Sequence, residues 1–205
     1  MIIKKFEVGY LPTNCYVLSE NGRAVIVDPG GGYRTISAYL EESGIKDIDV
    51  LLTHGHFDHI SDVFKWKKDG ATVYIHKDDA LCLYTPEASL AALVGLRFPP
   101  VNDFIAFSDG DELTLGTIKI KVIHTPGHTR GSCCFVLPDG SLLTGDTIMC
   151  ETYGRTDFAG GSDEQIKNSI LNKIFTIEGD RLLHPGHGDD TTIKHEKLLN
   201  PVLQL

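Results

Sequence analysis

The stretch Thr53-His54-Gly55-His56-Phe57-Asp58-His59 places three imidazoles and a carboxylate in one short segment. Imidazole nitrogens and carboxylate oxygens are the usual ligands of Zn²⁺ and similar first-row ions. In an extended loop, His54 and His56 project the same way and can share one ion. Asp58 and His59 lie past the turn and can serve a second ion beside the first. Further along, His128, Asp146 and His187 each follow a glycine, within Pro126-Gly127-His128, Thr144-Gly145-Asp146 and Pro185-Gly186-His187. A glycine there lets the backbone turn sharply and approach a crowded centre.

Elements that would position these residues are readable around them. The apolar run Asp49–Thr53 reads as a buried strand, and Ile60–Lys67 has helical spacing. The histidine motif therefore sits on a strand-to-helix loop, where a rigid scaffold can aim side chains into a cleft. Ahead of it, Ile2–Val8, Asn14–Ser19 and Arg23–Val27 read as a meander. Asp28-Pro29-Gly30-Gly31-Gly32 follows without a phosphate-loop lysine or a dinucleotide fingerprint, so it reads as a tight turn needing open backbone angles. A helix is expected over Thr35–Ser43 and a strand over Thr72–Ile75, with His76 as a structural histidine.

In the second half, strand-like runs over 104–107, 111–115 and 117–123 lead into the His128 loop. A hairpin of 132–137 and 141–143 leads to Asp146, and Arg181–Leu183 leads to His187. One helix is expected over Asp163–Phe175 with Ser162 as its N-cap, and another over Ile193–Leu199. Residues 77–103 lack strand periodicity and look like short helices, over 80–84 and 88–96, with a loop at 98–101. They read either as a flap that helps shape a substrate pocket or as a surface excursion with packing value only. His124 and His184 read as supporting or packing residues, and His195 as solvated.

The totals narrow the function. A chain of 205 residues, 41% hydrophobic and 23% charged, suits one globular domain, residues 1–205. A net charge of −9 without a Lys/Arg run argues against nucleic acid as a partner. No apolar leader follows Met1, and no stretch approaches a membrane span. The odd number of cysteines, without C-x-x-C, argues against a disulfide framework and fits a cytoplasmic location. Cys133 and Cys134, adjacent in one strand, should face opposite sides of a sheet.

Taken together, the motif at 53–59 followed by His128, Asp146 and His187 resembles the metallo-β-lactamase-fold superfamily over nearly the whole chain. The resemblance implies an α/β fold: a four-layer αββα sandwich of two mixed β-sheets with helices on the outer faces, and metals at one edge. It also implies that His54, His56 and His128 hold one divalent ion and that Asp58, His59 and His187 hold a second. Asp146 would bridge the two. Zinc is the expected metal, with iron or manganese as alternatives.

Within the superfamily the chain is most similar to type II glyoxalases, especially short bacterial relatives without the helical C-terminal domain. The run Gly154-Arg155-Thr156-Asp157-Phe158-Ala159-Gly160-Gly161 points there, and places Arg155 and Phe158 beside the substrate. The implied activity is hydrolysis of a small-molecule thioester or ester by a metal-bridged hydroxide, with Asp58 and Asp146 organising the pair of ions. Persulfide dioxygenases, which resemble the same family and use a single iron at the positions of His56, His128 and Asp146, are the alternative. Hydrolysis of another ester or lactone on the same core, or metal binding without catalysis, are two more.

Overall fold

In Ile118–His124, Ile118, Ile120 and Val122 are buried while Lys119 and Lys121 are exposed, as a half-buried strand requires. That alternation sets the second of two sheets in the computed structural model, which describes residues 1–204. The first sheet holds β1 (Ile2–Val8), β2 (Thr13–Glu20), β3 (Arg23–Val27), β4 (Asp47–Leu51), β5 (Thr72–His76) and β6 (Ile105–Phe107), in sequence order. Its first three strands are antiparallel, and the pairings from β3 to β6 are parallel. The second sheet runs β12 (Thr191–Thr192), β11 (Leu182–Pro185), β10 (Leu142–Gly145), β9 (Cys133–Val136), β8 (Ile118–His124), β7 (Glu112–Leu115). It is antiparallel except between β10 and β11.

Three apolar layers make this a four-layer αββα sandwich. Tyr16, Leu18 and Val27 from the first sheet meet Ile120, Cys133 and Phe135 from the second in the central layer. On the outer face of the first sheet, Val17, Ile26 and Val50 pack on Ile36 and Leu40 of α1 (Tyr33–Glu42) and on Trp66. On the outer face of the second, Cys134, Leu142 and Leu183 pack on Ile166 of the helix Asp163–Ser169 and on Ile193 of the helix Ile193–Leu199. The neighbouring cysteines do face opposite layers, and all five cysteines are free thiols. No helix among the described residues is long and apolar enough to cross a membrane.

Several elements differ from the sequence expectation. The helix after the histidine motif is two pieces, a turn at Phe57–Ile60 and a helix at Val63–Lys68. Asp58 and His59 therefore lie on the helical turn itself. The break falls at Ser61–Asp62, where Asp62 turns its N–H to the Pro29 carbonyl, 2.9 Å away, and its carboxylate to the Tyr33 N–H, 3.0 Å away. The helix expected to Phe175 is α-helical only to Ser169. It widens over Ile170–Ile174, where Phe175 N–H reaches back five residues to Ile170 O, 2.8 Å away.

Residues 77–103 contain 3-10 turns at Lys77–Leu83 and Ala91–Val94 rather than α-helices. The two-residue strand β12 is too short to leave a periodic signal. Gly30 is also not explained by open backbone angles: a Cβ there would sit 1.4 Å from the Asp58 carbonyl oxygen. The glycine run lets that loop lie directly against the helical turn bearing Asp58 and His59.

Phe135 is fully buried between the sheets. Phe135→Ala should lower unfolding free energy by about 3–5 kcal/mol, read as an earlier urea midpoint with an unchanged slope. A shift within experimental error would mean that the central layer does not carry the fold.

Candidate metal centre

Topology brings the candidate ligands to one edge. β8, β10 and β11 run in the same direction, because β9 is antiparallel to both β8 and β10, and β11 is parallel to β10. The loops after them, carrying His128, Asp146 and His187, therefore leave the same end of the second sheet. The first sheet is laced to this end by backbone bonds. Asn14 N–H donates to Gly186 O (2.7 Å) and Cys133 N–H to Thr53 O (2.8 Å). This brings the His54 loop face to face with the other three.

All seven predicted residues meet there. His54, His56 and His128 form one group of mutually close ligand atoms, and Asp58, His59 and His187 form another. His56 Nδ1 lies 2.8 Å from His128 Nε2, and His59 Nε2 lies 3.3 Å from His187 Nε2. Asp146 touches both groups: Oδ2 is 3.5 Å from His128 Nε2 and 3.6 Å from His187 Nε2, and Oδ1 is 3.5 Å from His59 Nε2. Gly186 makes room for that carboxylate, since a Cβ there would lie 2.2 Å from Asp146 Oδ1.

The hydrogen bonds around the cluster commit the outward nitrogens of four histidines. His128 Nδ1 donates to Arg155 O (2.7 Å) and His187 Nδ1 to Pro12 O (2.8 Å). His59 Nδ1 donates to Asp28 Oδ2 (2.9 Å). Thr53 Oγ1 gives its proton to Asp28 (2.6 Å) and accepts from His54 Nδ1 (3.1 Å). With the outward nitrogens so committed, the inward nitrogens of these rings face the centre, where a bound metal would take their lone pairs. Two buried atoms of the cluster, His54 Nε2 and Asp146 Oδ1, have no hydrogen-bond partner. Buried polar atoms are rarely left that way, and a cation at the centre would satisfy both. The residues fit divalent metal.

Electrostatics divide the centre. Burial, reinforced by the neighbouring imidazoles, holds His54 well below its ordinary range, and burial with His128 lowers His56 to about 3. Both stay neutral, as ligands must. Burial opposes charge on His59 too, but Asp58, Asp146 and Asp28 outweigh it and raise His59 to about 10. Burial would raise Asp58, yet His59 and His187 hold it well below the usual carboxylate range. The carboxylates thus favour positive charge around His59.

Sequence reasoning missed two supporting carboxylates. Asp28, 2% exposed, takes the Thr53 N–H (2.8 Å) as well as the bonds to Thr53 Oγ1 and His59. Asp79, 3% exposed, accepts from Gly55 N–H (2.9 Å), Thr129 Oγ1 (2.7 Å) and Gly131 N–H (2.7 Å). It ties the first ligand loop to the loop carrying His128. Its only sequence signal is an acidic residue inside an otherwise uninformative segment, whereas Asp28 follows a strand just before a glycine run.

A groove of about 400 Å³ opens on the cluster. Arg155 and Phe158 line it, with Arg155 stacked 3.9 Å over the Phe158 ring. Leu90, Leu93 and Val94, from segment 77–103, line it as well. His76, His124, His184 and His195 lie outside. His76 stacks on His124 at 4.1 Å, His184 pairs with Asp190 (2.9 Å), and His195 is bonded to Glu151 (3.1 Å) rather than only solvated.

Fold and site together define a class: an αββα sandwich with a His/Asp metal-binding centre at one edge of its sheets. A model of the Metallo-beta-lactamase superfamily matches residues 8–191. The chain belongs to that superfamily. It is 35% identical to "Probable metallo-hydrolase YqgX" of Bacillus subtilis, covering 98% of this chain and 96% of that protein. The crystal structure of BLEG-1 B3 metallo-beta-lactamase superposes with a TM-score of 0.91 at 32% identity, over 100% of both chains. That of TTHA1623 in a di-iron-bound form gives 0.85 at 30% identity, over 97% of this chain and 98% of that one.

Asp28→Asn removes the charge that orients His59 and anchors Thr53. Zinc retention against a competing chelator should fall about 10–100-fold. Unchanged retention would show that Asp28 serves the fold alone.

Proposed function

We propose that this chain is a metal-dependent hydrolase of the type II glyoxalase-like kind, with residues 1–205 as one hydrolase domain and a small-molecule thioester as substrate. One observation carries the reading: two candidate ligand groups share Asp146 and open onto a groove with no Ser, Cys or Lys among its lining residues. The groove thus offers no hydroxyl, thiol or amine nucleophile of its own. Two bound divalent ions would supply an activated water and an electrophile for the carbonyl.

The side chains divide the remaining work. His54, His56 and His128 would hold one ion, Asp58, His59 and His187 the other, and Asp146 both. Asp28 keeps the His59 proton on the outward nitrogen, and the Arg155 carbonyl does the same for His128. Hydrolysis forms the C–O bond of a carboxylic acid, breaks the C–S bond and returns a proton to the thiol.

The all-nitrogen-and-oxygen donor set suits zinc. The di-iron form of TTHA1623 makes iron the first alternative. One-iron persulfide oxidation at His56, His128 and Asp146 would leave His54, Asp58, His59 and His187 without a ligand role.

The test is hydrolysis of S-D-lactoylglutathione and of an uncharged thioester by zinc-loaded protein, with metal counted per chain. Wild type should hold two ions and turn over at least one of these substrates. Asp58→Ala should hold one and lose about a hundredfold or more in rate. Full activity in that variant would sink the two-metal reading. One iron per chain, with oxygen consumed alongside a persulfide, would replace it.

A further inference from the structure

The groove is chemically lopsided. Leu90, Leu93 and Val94 on one segment, with Leu11, Phe57 and Met149 from three others, give it aliphatic and aromatic walls. Leu93 is 70% exposed and Val94 54% exposed, so these side chains stand in water beside the metal centre. Their position is built in. Phe57 N–H, next to Asp58, donates to Ser89 O (2.8 Å), and Ser89 is fully buried. The same stretch is thereby fastened to the helical turn that carries two candidate ligands.

The polar side is poor by comparison. Arg155 is the one Lys or Arg among the lining residues. Its Nε and Nη2 are already given to Asp157, at 2.7 and 2.6 Å. Away from the metal ligands, a substrate bearing several carboxylates would find no unpaired lysine or arginine there, and desolvating anions without a partner is costly.

We propose that the groove selects an apolar acyl group, carried on a thiol that brings no more than one carboxylate, with Leu90, Leu93 and Val94 as the specificity-determining wall. This rests on reading the groove as the substrate cleft of the thioester hydrolase proposed above. It sets the chain apart from hydrolases built for glutathione conjugates.

The experiment uses zinc-loaded protein and two matched series: acetyl, butanoyl and hexanoyl thioesters of N-acetylcysteamine, and the p-nitrophenyl esters of the same acids. S-D-lactoylglutathione is the charged comparison. From acetyl to hexanoyl, kcat/KM should rise about tenfold or more and exceed the value for lactoylglutathione. Leu93→Asp and Val94→Asp, both at exposed positions, should flatten that rise. A flat or falling dependence in whichever series turns over, or a preference for lactoylglutathione, overturns the proposal.

The two readings fail differently. A chain-length rise confined to the oxygen esters retires the thioester and keeps the acyl wall. If neither series turns over, saturation-transfer NMR with hexanoyl-N-acetylcysteamine decides. Transfer to the acyl methylenes that is lost in Leu93→Asp supports the wall; transfer that is absent, or unchanged in the variant, overturns it.

Discussion

The constraint on which this molecule depends is the crowding of five imidazoles and two carboxylates at one sheet edge. His56 and His128 meet nitrogen to nitrogen at 2.8 Å, and His59 and His187 at 3.3 Å. Rings packed this closely need a proton or a metal ion between their nitrogens. A folded chain can hold them at these distances only if their rings are clamped from behind. Much of the surrounding architecture is that clamp: the Asp28 carboxylate and the carbonyls of Pro12 and Arg155 take the outward protons.

The two buried aspartates show how the clamp reaches into the fold. Asp28 follows β3 and binds the chain leaving β4, so parallel pairing of those strands sets the His54 loop. Asp79 follows β5 and binds both Gly55 and Gly131, so the first sheet also fixes the loop that holds His128. Neither faces the groove. Each fixes backbone and hydroxyl groups around the candidate ligands, and Asp28 the His59 ring as well, so that the centre is pre-organised before any ion arrives.

The same fastening extends to the groove. The 89–94 segment is tied to the helical turn through Phe57, so the apolar wall and the centre form one built unit. Loops of this kind, on a common sandwich, are where members of a superfamily differ in substrate while keeping a core.

Much of this was legible in the sequence, because ligand chemistry is local. The spacing of His54, His56, Asp58 and His59, and the glycine before each of His128, Asp146 and His187, marked all seven candidate residues. Period-two alternation in runs such as Ile118–Ile123 marked the strands, since each side chain reports its own face. Other features belong to no single segment. The break at Ser61–Asp62 depends on Pro29 and Tyr33. The need for Gly30 depends on the Asp58 carbonyl. The roles of Asp28 and Asp79 depend on loops 25 and 52 residues away in sequence. Which side chains could bind metal, and which strands would carry them, could be read from residue type and spacing alone. Only the tertiary structure decided what clamps those side chains and which apolar residues wall the groove, because both arise from contacts between segments that carry no trace of one another until the two sheets pack.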